Sequence, residues 1–321
     1  MEHLDIVKTL GVYKNFEDDF VCGRVSQAYL FVCDDRLTAR ELVMAVSRLL
    51  VCDNENSCGA CGGCVKVNAG THPDVLVYPK GKNFMVADAG QIYDNVQVKP
   101  MIASRKIFVI NDIDLATEQA QNKMLKIVEE PPKNVIFLIT CKNESKVLRT
   151  IISRVQKKHV DKLGANSIEK IVVSVGEKRE IAITNGDGYL GKTIDIDTGE
   201  EYVKVYGEML GIVKNLKIST QIPNFSPILG QNREFFEKGI AILSDFYRDM
   251  LMIKLNKLDI VKNVNIIKEL ESASVEYTPI ALLEIIKRFN LARQKFDSNV
   301  NLTMLADSVL LDILEVKFLC K

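Results

Sequence analysis

Four short runs dominated by apolar residues constrain this chain more than anything else in it: AYLFVCD at 28–34, DVLVYP at 74–79, KIFVIND at 106–112 and VIFLITC at 135–141. A strand with one wet face alternates apolar and polar side chains. A strand that is apolar throughout must be covered on both faces, as in a parallel sheet between helices. The intervening segments have helical spacing. LTARELVMAVSRLLV (37–51) places apolar residues three and four apart, and TEQAQNKMLKIVEE (117–130) opens on the capping residue Thr117 and stops at Pro131-Pro132, where a helix cannot continue. Strands alternating with helices predict an α/β domain over residues 1–158. Beyond about 160 the strand signal fades. Residues 233–258, 279–296 and 302–319 carry helical periodicity, and the stripe Phe235, Phe236, Ile240, Leu243, Phe246, Tyr247, Met250, Leu251 reads as the core of that helical part.

Composition removes several classes of function. The 321 residues suggest two or three domains. With 47% hydrophobic and 26% charged residues the chain can bury a core and is not a disordered tail. No apolar run approaches the ~18–20 residues of a membrane span. The opening MEHLDIVKTLGVYKNFEDDF lacks the basic start, apolar stretch and cleavage site of a secretory signal, so a cytoplasmic location is expected. Lys+Arg and Asp+Glu both number 42, whereas a chain that grips nucleic acid unaided would carry a basic surplus. Contact with DNA is expected to be local, weak or shared with partners. The candidates for histidine catalysis, His3, His72 and His159, are few and scattered.

Cysteine is distributed unevenly. Cys52, Cys58, Cys61 and Cys64 form C-x5-C-x2-C-x2-C, with Gly59, Gly62 and Gly63 available to fold a tight knuckle. In a reducing compartment such spacing points to a metal site rather than disulfides. Four thiolates complete a tetrahedral zinc shell with no open position, so the role would be structural. An iron–sulfur cluster or four reduced, unliganded thiols fit the same spacing. Cys22, Cys33, Cys141 and Cys320 read as ordinary core residues.

The first strand-to-helix turn is where a phosphate-binding loop would sit. It reads Val32-Cys33-Asp34-Asp35-Arg36-Leu37-Thr38, without the glycines and lysine that cradle phosphates and with two carboxylates that would repel them. No nucleotide is expected there. After the third run, Asn111-Asp112 is a weakened version of the acidic pair that an ATPase sets near magnesium, and reads more simply as an acidic turn. Glu129-Glu130 is not a catalytic pair, because neighbouring helical residues point about 100° apart. These carboxylates are expected to bond across packed elements.

Longer motifs now add a resemblance. Residues 107–156, with N-x-x-L-K-x-x-E-E-P-P from Asn122 to Pro132, the strand ending Leu138-Ile139-Thr140 and Ser153-Arg154, resemble the AAA+ clamp-loader subunits of bacterial DNA polymerase III. GRVSQAYLF (23–31), the cysteine knuckle after the first helix, THPDV (71–75) and Asn299-Val300-Asn301 with Met304 are similar as well. Two departures stand out: Val155 replaces the cysteine of the family's S-R-C, and Gln27 replaces a histidine. The resemblance implies an α/β AAA+ domain (P-loop-like, with a parallel sheet) carrying a zinc knuckle at 52–64, a small helical lid at 159–197 and an all-α collar at 198–321. The turn Asn185-Gly186-Asp187-Gly188-Tyr189-Leu190-Gly191-Lys192 is similar to the lid's glycine-bearing turn, and Thr140 stands at the first sensor position. Within this family a zinc-bearing member without a working phosphate loop would bind no ATP. It would act as a stator and offer Arg154 as a trans-acting arginine finger, with Arg149 and Lys146 as nearby alternatives. Its partners would be gamma/tau ATPase subunits and the clamp-opening delta subunit in a hetero-oligomer, and indirectly the sliding clamp and primed DNA, with no membrane. The alternative is a divergent gamma/tau-like subunit that itself hydrolyses ATP.

Overall fold

A computed structural model of the chain describes residues 3–54, 56–173, 175–296 and 300–319. The chain divides into two compact units, one formed by 1–171 with 187–192, the other by 172–186 with 193–321.

The first unit holds a five-stranded parallel sheet: β1 (Ala28–Val32), β2 (Val75–Tyr78), β3 (Lys106–Ile110), β4 (Val135–Cys141) and β5 (Gln156–His159). Their order across the sheet is β2-β3-β4-β1-β5, with Phe137 beside Ala28 on β1 and Phe108 on β3. Helices α1 (His3–Val7) and α2 (Gly11–Val21) precede the sheet. Then come α3 (Arg36–Val51), α4 (Gly62–Asn68), α5 (Val86–Val96), α6 (Glu118–Glu129), α7 (Arg149–Ile152) and α8 (Ala165–Glu169). The four apolar runs are strands because both their faces are covered. On one face Leu30, Phe108, Phe137 and Ile139 pack with Ile92 of α5 and Met124 of α6. On the other, Phe16 of α2 meets the Tyr29 ring edge-on at 5.0 Å, and α3 lies against β3 and β4. Burying a ring such as Phe108 or Phe137 is worth roughly 1.5–3 kcal/mol.

One strand escapes the sequence reading. β5 has the polar sequence QKKH and pairs only with β1 as an exposed edge, so it carries no apolar signature. The chain lays β2, β3 and β4 to one side of β1 and β5 to the other. The C-terminal end of β1 is therefore the switch point where open α/β sheets place their ligands.

The second unit, among its described residues, is helical: α9 (Glu177–Asn185), the continuation of α10 (Leu190–Thr198), α11 (Glu201–Asn215), α12 (Ile222–Leu229), α13 (Arg233–Lys254), α14 (Ile267–Ser274), α15 (Pro279–Phe296) and α16 (Leu302–Leu319). α13 is central and packs against α11, α14 and α15, while α16 closes on α12 and α15. The expected stripe is core: Phe235 through Met250 are buried at the positions named, and Leu251 packs against them half-exposed. Asn301 caps α16 by accepting from the Thr303 and Met304 amides; Asn299 lies outside the described residues. Among the described residues no helix is long and apolar enough to cross a membrane.

Candidate functional site

At the switch point the chain fills its own crevice. Helix α3 starts at Arg36, directly after Cys33-Asp34-Asp35, and Asp35 is its cap. One carboxylate oxygen of Asp35 accepts from the Thr38 amide at 2.8 Å, the Thr38 hydroxyl at 2.6 Å and the Gly191 amide at 2.9 Å. The Thr38 oxygen in turn accepts from the Leu190 amide at 2.9 Å. Amides at the starts of α3 and α10 are thus directed onto side chains of the same short stretch. Elsewhere such donors are free to take a phosphate. Gly191 permits the approach, since a Cβ there would stand 2.5 Å from an Asp35 oxygen. Beside it the Tyr189 hydroxyl donates to Asp34 at 3.3 Å; burial first, and then the Asp34 charge, push this phenol up to about 12.

The strand ends next to it are equally self-satisfied. Arg36 grips Asp114 with two parallel bonds of 3.1 and 2.9 Å and reaches Asp112 at 2.8 Å, and Arg40 also pairs with Asp112. Asp112 takes a left-handed backbone conformation (φ 56°), and its amide donates to the Thr140 hydroxyl at 2.9 Å. Thr140 therefore braces the turn after β3. Asp114 also accepts from the Lys142 and Asn143 amides. Burial would raise its pKa, but Arg36 and these amides outweigh burial and hold it below the usual carboxylate value. The Asn111 side-chain oxygen is buried without an internal partner.

Arg154 follows α7, whose last turn it caps with Ser153. The guanidinium donates to the Thr150 carbonyl at 2.9 Å and the Ser153 hydroxyl at 3.3 Å, and pairs with Glu129 at the end of α6 at 2.8 Å. Its side chain remains 37% exposed, and Arg149 and Lys146 are exposed nearby.

The four clustered cysteines converge. Cys58 and Cys64 lie 3.9 Å apart at sulfur, as do Cys52 and Cys61, and all four sulfurs fall within 4.8 Å of one another. Four thiolates around one tetrahedral ion with bonds of ~2.3 Å sit about 3.8 Å apart, so the donor set fits a metal ion. Amides of Cys58, Cys61 and Cys64 point at the sulfurs of Cys52, Cys58 and Cys61 at 3.3–3.4 Å. The Ala60 and Cys61 amides hold the Cys58 thiol down at about 6. Gly59 makes the knuckle turn at φ 76°, whereas Gly62 is an ordinary helical residue that needs no glycine. Under the knuckle the fully buried Arg48 bonds Ser57, Asn68 and Asp5 of α1.

The scattered cysteines divide. Cys33 and Cys141 are core residues, and burial raises their thiols to about 11 and about 12. Cys22 is exposed, contrary to expectation, because it follows α2 beyond the last side chain that helix buries. Cys320 lies outside the described residues.

Two residues that matter here were not singled out from sequence. Gln121, buried on the apolar face of α6, donates to the carbonyls of Ile113, Ala116 and Lys146 and accepts from the Leu148 amide at 2.9 Å. It ties the turn after β3 to the segment that leads into α7. Asp74, also buried, accepts from the amides of Met101, Ile102 and Ala103 at 2.6–2.8 Å. A polar residue on an otherwise apolar helix face was the available signal for Gln121.

Comparison with known proteins extends this picture. A family described as DNA polymerase III, delta subunit, matches residues 9–164. The DNA polymerase III subunit delta' of Bacillus subtilis (strain 168) is 23% identical over 315 residues, covering 95% of this chain and 94% of its own length. The delta' subunit of Escherichia coli (strain K12) is 33% identical over 141 residues, 42% of each chain. The tau subunit of B. subtilis is 24% identical over 91% of this chain, which spans only 57% of that protein. A gamma-subunit-related protein of Thermotoga maritima superposes with a TM-score of 0.43 at 15% identity, over 94% of this chain and 99% of its own.

Proposed function

We propose that this chain, similar to DNA polymerase III delta-type subunits over residues 9–164 and to a delta' subunit along most of its length, is a clamp-loader subunit of the delta-prime type. It binds no ATP, holds its place in a hetero-oligomer as a stator, and lends Arg154 to the ATP site of a neighbouring gamma/tau-type subunit. A delta-type clamp-opening subunit is its other direct partner. The assembly loads the sliding clamp on primed DNA. In this arrangement residues 159–197 form the lid and 198–321 the collar, and the four cysteines hold one structural zinc.

The observation that carries the reading is the filled crevice at the end of β1. The Asp35 carboxylate takes the Thr38 and Gly191 amides, and Arg36 and Arg40 take Asp112 and Asp114. A triphosphate entering there would meet an anion where it needs donors, and no lysine to replace it. Arg154 suits the role of a finger because it is planar, permanently charged, still has open donors and is held at the end of a helix. Placed against a partner's γ-phosphate, it supplies positive charge where negative charge grows in the transition state. Such fingers are worth about 10³–10⁵ in rate in other nucleotide hydrolases.

The test is equilibrium binding of a non-hydrolysable ATP analogue, with magnesium, to the full chain. No binding up to millimolar concentration is expected. Micromolar binding would overturn the silent site and favour the second reading, a divergent gamma/tau-like ATPase, to which the 24% identity with tau lends weight.

A further inference from the structure

We infer that Glu129 is a positioning residue for Arg154, the part played by the first acid of the Glu129-Glu130-Pro131-Pro132 block. The inference rests on the finger reading of Arg154 and deepens it.

Arg154 has two contacts from its own turn, Thr150 and Ser153, and these fix only the root of the guanidinium. The third, to Glu129 at 2.8 Å, comes from a different element and sets the direction of the fork. Both ends of this pair are anchored to β1. The side-chain amide of Gln27, the residue before β1, donates to the carbonyls of Pro131 at 3.3 Å and Pro132 at 2.7 Å, which pins the chain just past Glu129. Arg154 stands two residues before Gln156, where β5 begins its pairing with Tyr29 of β1. Glu129 is the last residue of α6, which Glu130 and the two prolines terminate, so its carboxylate projects from a fixed helix end.

The ion pair is a weak source of fold stability, because both side chains are more than a third exposed, 37% and 45%, and solvent screens them. Its effect falls on order instead. A free arginine samples many rotamers, and a finger must surrender that freedom before it can act. One already held in a single direction loses less on docking. The shortest contact to Glu129 is made by one terminal guanidinium nitrogen. Donors remain for phosphate oxygens, so holding and reaching are compatible.

The experiment measures steady-state ATP turnover of the clamp-loader assembly reconstituted with the full chain as wild type, R154A, E129A, E129D and R154A/E129A. The quantity read is Arg154-dependent turnover, the difference between wild type and R154A. In E129A it is expected to fall by about threefold to thirtyfold, with KM for ATP and the melting midpoint of the chain unchanged. E129D, which keeps the charge, is expected to recover most of the loss. The double variant is expected to turn over no more slowly than R154A alone, because Glu129 acts only through Arg154. Wild-type turnover in E129A, or an additive loss in the double variant, overturns the role of Glu129 and leaves the finger standing. Wild-type turnover in R154A removes the finger itself, and the role of Glu129 with it.

Discussion

The carboxylate of Asp35 accepts a hydrogen bond from the amide of Gly191 at 2.9 Å, although 155 residues of chain lie between them. The bond brings the start of α10 to the start of α3, and the side chain in the middle is an anion. A phosphate would occupy the same kind of position between two helix N-termini.

That contact can be tested from both sides. Gly191→Ala places a methyl group against the Asp35 oxygens and is expected to destabilise the first unit by about 1–3 kcal/mol. Asp35→Ala removes a helix cap and is expected to cost about 1–2 kcal/mol. Because the two residues share one contact, the double variant should lose less than the sum. Urea unfolding followed by circular dichroism reads all three. Midpoints equal to wild type for both single variants would falsify the clamp.

Much of this unit was legible in the sequence, for a physical reason. β1, β3 and β4 are covered on both faces, so nearly every side chain in them had to be apolar, and such runs cannot be mistaken for an alternating edge. Thr117 and the proline pair marked the ends of α6 equally plainly. β5 was illegible because its stability comes from backbone pairing with β1, which leaves no trace in side-chain type. The cysteine knuckle could be read from spacing alone. The charge network could not, because Arg36 and Arg40 meet Asp112 and Asp114 across more than 70 residues and only the fold brings them together. The two carboxylates of Asp34-Asp35 were visible in the sequence; the bonds of Asp35 to Thr38 and Gly191 were not.

The knuckle leads to a prediction about metal. Purified chain is expected to hold close to one zinc ion, measured by plasma mass spectrometry, and chelation or Cys61→Ser should lower the melting midpoint. Iron with visible absorbance, or no metal at all, would count against zinc. Arg48 offers a second approach that leaves every sulfur in place. Arg48→Met removes a fully buried guanidinium together with its bonds to buried Ser57 and to exposed Asn68 and Asp5, and should cost about 1–3 kcal/mol. It should also raise hydrogen exchange in α1. Normal exchange there would show that Arg48 does not join α1 to the knuckle.

Acid should unfold this unit for identifiable reasons. Burial alone would raise the pKa of Asp74, but the Ala103, Ile102 and Met101 amides outweigh it and leave the value lowered. Asp114 is lowered in the same sense, burial being overcome by Arg36. A carboxylate with a depressed folded pKa stabilises above its unfolded value of about 3.9 and loses that contribution as pH falls through the folded value. Stability in urea should therefore hold between pH 7 and 5 and drop below about pH 4. Asp74→Asn should flatten that drop while lowering stability at pH 7. A variant as acid-sensitive as wild type would mean that other groups control the transition.

Gln121 supplies the sharpest test of how the turn after β3 is joined to the entry of α7. Its amide bonds three carbonyls, two in the turn that follows Asp112 and one at Lys146, and its oxygen takes the Leu148 amide at the entry to α7. Gln121→Leu keeps the side chain's bulk and removes these bonds, at an expected cost of about 1–3 kcal/mol. A loss that merely weakened α6 would spread over the whole unit. A lost junction should instead raise hydrogen exchange at 113–116 and 144–148 ahead of global unfolding. It should also loosen Arg154, because that arginine lies just past the end of α7. Exchange that rises evenly across the unit would show that Gln121 only fills space.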